Sequence, residues 1–306
     1  MKILEFIDKF PNEQSCKIYF RDIRMKEGVV CKNCKCRKHY WLASKWQFQC
    51  SECGFRTTLK SGTVMENSRL SFRTWFLVML FMTSTKKGLS ACELQRQVGH
   101  KRYMTIWSIM HRLRKVMGNR DGLYQLTDLI EFDEGYFEKE VPQKIKSKLK
   151  RGRGSERQVN VAVMAESIPV EDLRSKKTSN HCRHFKMKVL ESHKSTEIES
   201  LIKTSLDPEA VVFSDKSTSY FNIENYVESH IIEKSNKQTT SDMLKWVHIA
   251  ISNAKRNFLG IYHKINGRYL QYYLDEFVYK LNRRNFKSIF ERLVVASVYP
   301  YWQTNE

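Results

Sequence analysis

Two tight cysteine pairs, Cys31-x2-Cys34 and Cys50-x2-Cys53, lie fifteen residues apart and constrain the N-terminal region more than any other feature. At that spacing four thiolates can reach the corners of a tetrahedron, the closed geometry of a structural Zn2+ site. Between the pairs, Tyr40-Trp41 and Trp46-Gln47-Phe48 read as short strands, and Gly54 follows the second pair where a tight turn needs positive φ. The pattern predicts a zinc ribbon over residues 29–60. The competing readings are two surface thiol pairs or a disulfide scaffold, but the spacing fits the zinc template. Cys36, just past the first knuckle, could substitute as a ligand and is read as a bystander. Cys16, Cys36, Cys92 and Cys182 are scattered without a framework, as expected in a reducing compartment.

Charge points to the partner. A formal net charge of +20 over 306 residues suggests a polyanion, with nucleic acid ahead of an anionic membrane surface or a merely solvated basic face. The length allows about two domains. Glu5 and Asp8 interrupt any apolar leader, and the longest apolar run, Trp75 to Met82, is too short to span a bilayer. The expectation is a cytoplasmic protein with no membrane partner, nucleoid-associated when bound to DNA.

Ile3, Phe6, Ile7 and Phe10 recur at helical spacing, which predicts an N-terminal helical segment over residues 1–28. Residues 61–122 read as helical. Ser71 is placed to cap a helix running through Met82, and Ser90-Ala91-Cys92-Glu93 fits a capping box for a short helix closed by Gly99. A second helix follows, with Ile106, Ile109, Met110, Leu113, Val116 and Met117 in one stripe. Lys101, Arg102, His111, Arg112, Arg114 and Lys115 supply basic groups near or off that stripe. Short helix, glycine turn and basic second helix make a helix-turn-helix candidate whose second helix would enter a major groove.

Residues 123–306 change character. Leu129 to Phe137, Val159 to Ala165, Phe185 to Leu190, Val211 to Ser214 and His230 to Ile232 read as strands. Helical patterns over Thr196 to Leu206, Asp242 to Leu259 and Tyr269 to Leu281 separate or follow the later strands, so an α/β mixed sheet with flanking helices is expected. Between the first two strands, Lys139 to Arg157 reads as a basic loop in which Lys148, Lys150, Arg151 and Arg153 could track phosphates.

Asp133 lies inside one predicted strand and Asp215 ends another. A carboxylate in such a place is costly unless it is ion-paired, caps a turn or binds a metal. Glu131 would share a strand face with Asp133.

The chain resembles the zinc-ribbon insertion-sequence transposases related to the Merlin elements, which carry a DDE-type catalytic domain. The resemblance runs through Ser61-Gly62-Thr63-Val64, Lys87-Gly88-Leu89-Ser90, Met110-His111-Arg112-Leu113-Arg114 and Phe132-Asp133-Glu134. It continues through Ser214-Asp215 with Tyr220, His248 to Arg256, Gly260-Ile261-Tyr262-His263, Tyr273 to Tyr279 and Asn282-Arg283-Arg284. It implies a ribonuclease-H-like catalytic domain, with Asp133 and Asp215 as catalytic acids holding Mg2+ or Mn2+. Most relatives place a Glu seven residues before a DNA-contacting Lys. Here the residue seven before Lys255 is His248, which implies an Asp-Asp-His-Lys branch. Seven residues are about two helical turns, so His248 and Lys255 would project on one side. Asn253, Asp242 and Glu276 are the other candidates for the third position.

The resemblance further implies a cut-and-paste transposase acting on double-stranded DNA, both terminal inverted repeats and target. Two ends require at least two protomers, hence a homodimer or higher oligomer on DNA. Lys255 and Arg256 join Lys101, Arg102, Arg112, Arg114, Lys115 and the basic loop as DNA-binding candidates. The competing functions are a host-adopted regulator without catalysis and a zinc-ribbon nuclease that hydrolyses without strand transfer.

Overall fold

The computed structural model describes residues 1–142, 155–171, 178–191, 195–215, 220, 222–233 and 243–299. The chain forms two compact units, residues 1–120 with 285–306 and residues 121–284. Among the described residues, no helix is long and apolar enough to cross a membrane.

The first unit opens with helices α1, Ile3–Lys9, and α2, Glu13–Glu27. A three-stranded antiparallel ribbon follows, of β1, His39–Leu42, β2, Gln47–Cys50, and β3, Arg56–Thr58. Arg24 of α2 joins helix to ribbon. Its buried guanidinium donates to Thr58 O at 2.9 Å and Leu59 O at 2.7 Å and lies over the Phe48 ring. Helix α3, Phe72–Ser84, starts where Ser71 Oγ accepts from Thr74 N at 3.0 Å, as its sequence suggests.

Helices α4, Ala91–Val98, and α5, Tyr103–Asp121, make the expected helix-turn-helix around Gly99, whose φ of 69° is the left-handed value of a helix stop. Ser90 Oγ accepts from Glu93 N, while the Glu93 carboxylate turns forward to Arg96 and Gln97.

Helix α9, Ile289–Val298, corrects the boundary drawn from sequence, which placed all of residues 123–306 in one domain. Its buried stripe of Phe290, Leu293, Val294 and Ser297 closes the aromatic core of the first unit. Phe290 meets Phe6 edge-on at 5.8 Å and Phe76 at 5.7 Å, and Phe76 meets Phe10 at 5.1 Å.

The second unit is built on strands β4, Leu129–Glu138, β5, Gln158–Glu171, β6, Thr178–Leu190, β7, Val211–Asp215, and β8, Ser229–Glu233. They lie in the order β6-β5-β4-β7-β8, with β4, β5 and β6 antiparallel and β7 and β8 running parallel to β4. Period-two alternation divides the core. Ile130, Phe132, Ala162, Met164 and Val212 pack with Ile198 and Ile202 of helix α6, Ser195–Ser205. Phe137, Val161, Val163, Phe185 and Met187 face helices α7, Lys245–Tyr262, and α8, Leu270–Asn282. Each of these side chains larger than alanine, once fully buried, contributes about 1.5–3 kcal/mol. A five-stranded mixed sheet covered by helices on both faces is the ribonuclease-H-like architecture expected from the sequence.

Candidate metal and nucleic-acid sites

The two knuckles of the ribbon repeat one backbone design. Lys35 N donates to Cys31 O and Cys31 N to Cys36 O, while Gly54 N donates to Cys50 O and Cys50 N to Phe55 O. Lys35 has φ 64° and Gly54 has φ 68°, so the positive φ expected at Gly54 recurs at a lysine that composition does not mark. The four sulfurs lie within 4.8 Å of one another, and Cys31–Cys53 and Cys34–Cys50 are each 3.5 Å apart. A tetrahedron with Zn–S bonds of about 2.3 Å has edges of roughly 3.8 Å, so the quartet fits Zn2+ without rebuilding. The backbone N–H of Phe55 stabilises the Cys53 thiolate and draws its pKa down to about 6. Cys36 stands aside, accepting from Lys38 N at 3.2 Å. Among the described residues, this quartet is the one group of three or more Cys, His, Asp or Glu close enough to share an ion.

In the second unit, β4 and β7 run parallel in register up to Phe132 and Ser214, so Asp133 and Asp215 come one residue beyond the last pair, on the same face of the sheet. Helix α7 covers that face. His248, in its first turn, puts Nε2 at 3.8 Å from Asp133 Oδ2, with the imidazole 41% exposed. Asp133 Oδ1 accepts from Glu134 N at 2.7 Å. Burial pushes the Asp133 carboxyl up to about 6, and Asp215 adds to the rise, while the Glu134 N–H and His248 oppose it. Lys255 is exposed two turns beyond His248, with Nζ 5.7 Å from the Phe137 ring.

The other candidates for the third position are otherwise engaged or undescribed. Asn253 Oδ1 accepts from Arg256 Nη2 at 3.0 Å. Glu276 is buried in an i,i+4 pair with Lys280 at 3.8 Å. Asp242 lies outside the described residues. Two neighbouring acids are also accounted for. Glu134 points to the opposite face, where Tyr220 OH donates to it at 3.0 Å and Asn160 Nδ2 also bonds to it. Glu131 accepts from Trp246 N at 2.7 Å and Val247 N at 3.1 Å at the start of α7, and burial pushes its carboxyl up to about 7 against those two bonds.

The basic candidates divide by exposure. Lys101 and Arg102 are exposed in the turn before α5, next to exposed Tyr103 and Met104 at its start. With Arg69, His100 and Arg112 they line a groove of about 780 Å3. Arg112 reaches it from a fixed position, donating to Val64 O at 3.2 Å and Glu66 O at 2.9 Å. Lys115 is half-buried and Arg256 exposed. Arg114 lacks the exposure expected of a DNA contact: it is 1% exposed, its position on α5 falling within the apolar stripe. His111, also read as a basic group, is buried against Trp107, with ring centroids 3.9 Å apart. Lys148, Lys150, Arg151 and Arg153 lie outside the described residues.

Sequence reading missed the role of Asn282-Arg283. Asn282 Oδ1 accepts from Phe185 N at 2.8 Å and its Nδ2 donates to Phe185 O at 3.0 Å, fastening the end of α8 to the sheet. Arg283 Nη2 pairs with Asp121 Oδ1 at 2.6 Å, both buried. An Asn-Arg at a helix end after a tyrosine-rich stripe could have flagged an anchor.

Fold and site together define a class: a zinc-ribbon protein with a ribonuclease-H-like domain whose acids stand side by side on adjoining strands. The family follows from comparison. Residues 125–282, more than half of the chain, match the ISXO2-like transposase domain, and residues 11–56 match a transposase zinc-ribbon domain. The chain belongs to the ISXO2-like transposase family. It is similar to an uncharacterized protein in the transposable element ISH50 of Halobacterium salinarum, 26% identical over 173 residues. That alignment covers 52% of this chain and 57% of the relative's length.

Proposed function

We propose that the chain is the DNA transposase of an insertion sequence, cleaving and joining DNA at terminal inverted repeats. The observation that carries this reading is the placement of Asp133 and Asp215 on one face of adjoining parallel strands, with His248 at 3.8 Å from Asp133, in the segment that matches the transposase domain.

The chemistry of the donors suits a divalent cation, although the ligand atoms of Asp133, Asp215 and His248 do not stand close enough together in this structure to share one and would have to draw in around it. Two carboxylates supply hard oxygen ligands, and the raised proton affinity of Asp133 reflects a buried negative charge that a cation would offset. Asp133, Asp215 and His248 would hold the metal, and the imidazole favours Mn2+ at least as much as Mg2+. When bound, such ions supply Lewis acidity for an attacking water or 3′-hydroxyl and for the departing oxygen. Lys255, two turns along the same helix face, is placed to contact a DNA phosphate.

The first unit takes end recognition. Lys101 and Arg102 flank the start of α5, where a helix-turn-helix presents its reading residues, and the thiolate quartet holds structural Zn2+ with no open coordination position. Arg112, Lys115, Arg256 and the basic loop with Lys148, Lys150, Arg151 and Arg153 add phosphate contacts. Uniting two ends makes the acting species a homodimer or higher oligomer on DNA.

Asp133→Ala and Asp215→Ala test the assignment. Each is expected to abolish end cleavage while end binding in a mobility-shift assay stays intact, since ligands to metal and not DNA contacts are removed. Cleavage at the parental rate by both variants would falsify it.

A further inference from the structure

Helix α7 begins without a cap of its own. Its N-cap residue is Leu244, which has no side-chain acceptor, and the first intrahelical bond at this end is His248 N to Leu244 O at 3.1 Å. The amides just before His248 are satisfied from the sheet, where Glu131 Oε2 takes both Trp246 N and Val247 N. Glu131 is 4% exposed and two residues from Asp133 on the same strand face.

The rest of that face follows α7 in step. Beyond Asp133 and His248, Gly135 lies under Ile251, where an added Cβ would come within 3.2 Å of Ile251 Cγ1, and Phe137 meets Phe258 at 6.0 Å between ring centroids. From Glu131 to Phe137 the strand advances roughly 20 Å, and from Trp246 to Phe258 the helix rises about 18 Å. Strand and helix are therefore commensurate, and their register has to be set at one end. A one-turn slip of about 5.4 Å would carry His248 away from Asp133.

We propose that Glu131 is a positioning residue, pinning the start of α7 to β4 and so presenting His248 to Asp133. The idea rests on reading Asp133 and His248 as metal ligands. Glu131 is not itself a ligand here: it shares the face of Asp133, but its Oε2 is committed to two backbone donors. The role depends on reach. Gln preserves the acceptor oxygen at the same distance without the charge, whereas Asp keeps the charge on a side chain about 1.5 Å shorter.

The test uses the zinc-loaded full-length protein without DNA and compares Glu131→Gln, Glu131→Asp and Glu131→Ala with Asp133→Ala. Hydrogen exchange at Trp246 and Val247 reports the pin, and Mn2+ titration followed by electron paramagnetic resonance reports the site. Glu131→Gln is expected to keep slow exchange and near-parental affinity. Glu131→Asp and Glu131→Ala should exchange faster and lose about 10–100-fold in Mn2+ affinity. Parental Mn2+ affinity in Glu131→Ala and Glu131→Asp overturns the proposal, as does a Glu131→Asp that behaves like the parent while Glu131→Gln fails. If the Ala variant does not fold, the Gln and Asp pair decides. Unchanged Mn2+ binding in Asp133→Ala would count against the catalytic reading, while the exchange data would still judge the pin.

Discussion

Gly54 and Lys35 occupy equivalent corners of the two knuckles, and both need the left-handed backbone that only glycine adopts freely. An added Cβ at Gly54 would meet Gln49 Nε2 at 3.8 Å, an ordinary contact, so the conformation alone sets the cost. Gly54→Ala should destabilise the zinc-loaded protein by about 1–2 kcal/mol in chemical denaturation. A second prediction concerns His111, whose burial, with Arg114 beside it, pulls the imidazole down to about 3. The unfolded chain takes up that proton near pH 6.5, so the contribution of His111 to stability is complete above about 6.5 and is lost as pH falls toward 3. His111→Phe should flatten the decline in melting temperature between about pH 6.5 and 4, and equal slopes in both proteins would refute the assignment. The cysteine spacing made the quartet legible, because ligand geometry is written locally. The burial of His111 and Arg114 was not legible, because charge on a helix says nothing of which of its sides the fold covers.

Secondary structure was legible where periodicity was strong. All five strands of the second unit and the helices α3, α4, α6 and α8 fall where their sequence patterns lie, since alternation and capping residues act over one or two turns, but β5 runs on to Glu171 and β6 begins at Thr178, several residues beyond the patterns read for them. The third ribbon strand, Arg56–Thr58, went unread because three residues carry too little alternation. The partner of α9 was also hidden, since an amphipathic stripe announces that it will be buried but not against what. Its packing yields a prediction at this scale. Phe290→Ala should cost about 3–5 kcal/mol and unfold the first unit preferentially, because it empties a pocket formed with Phe6 and Phe76. Limited proteolysis mapped by mass spectrometry checks this; new cleavage confined to residues 121–284 would contradict it.

At the scale of the molecule, the proposed function gives the first unit the holding of DNA and the second its cutting. The Asp-Asp-His-Lys pattern is an expectation from family resemblance, and in the structure His248 Nε2 lies 3.8 Å from Asp133 Oδ2 on a facing element. If the ribbon serves end binding as proposed, Cys31→Ser or Cys53→Ser should lower zinc content and end binding together. Normal end binding by zinc-free protein would remove the ribbon from that role. A joining assay tests the proposed transposase activity itself. Zinc-loaded protein is incubated with Mn2+ or Mg2+, DNA bearing the terminal repeats of its own element, and a circular target. Covalent joining of transposon 3′ ends to the target is expected from the parent, and none from Asp133→Ala or Asp215→Ala. Cleavage without joining by the parent, or joining that survives in both variants, would contradict it.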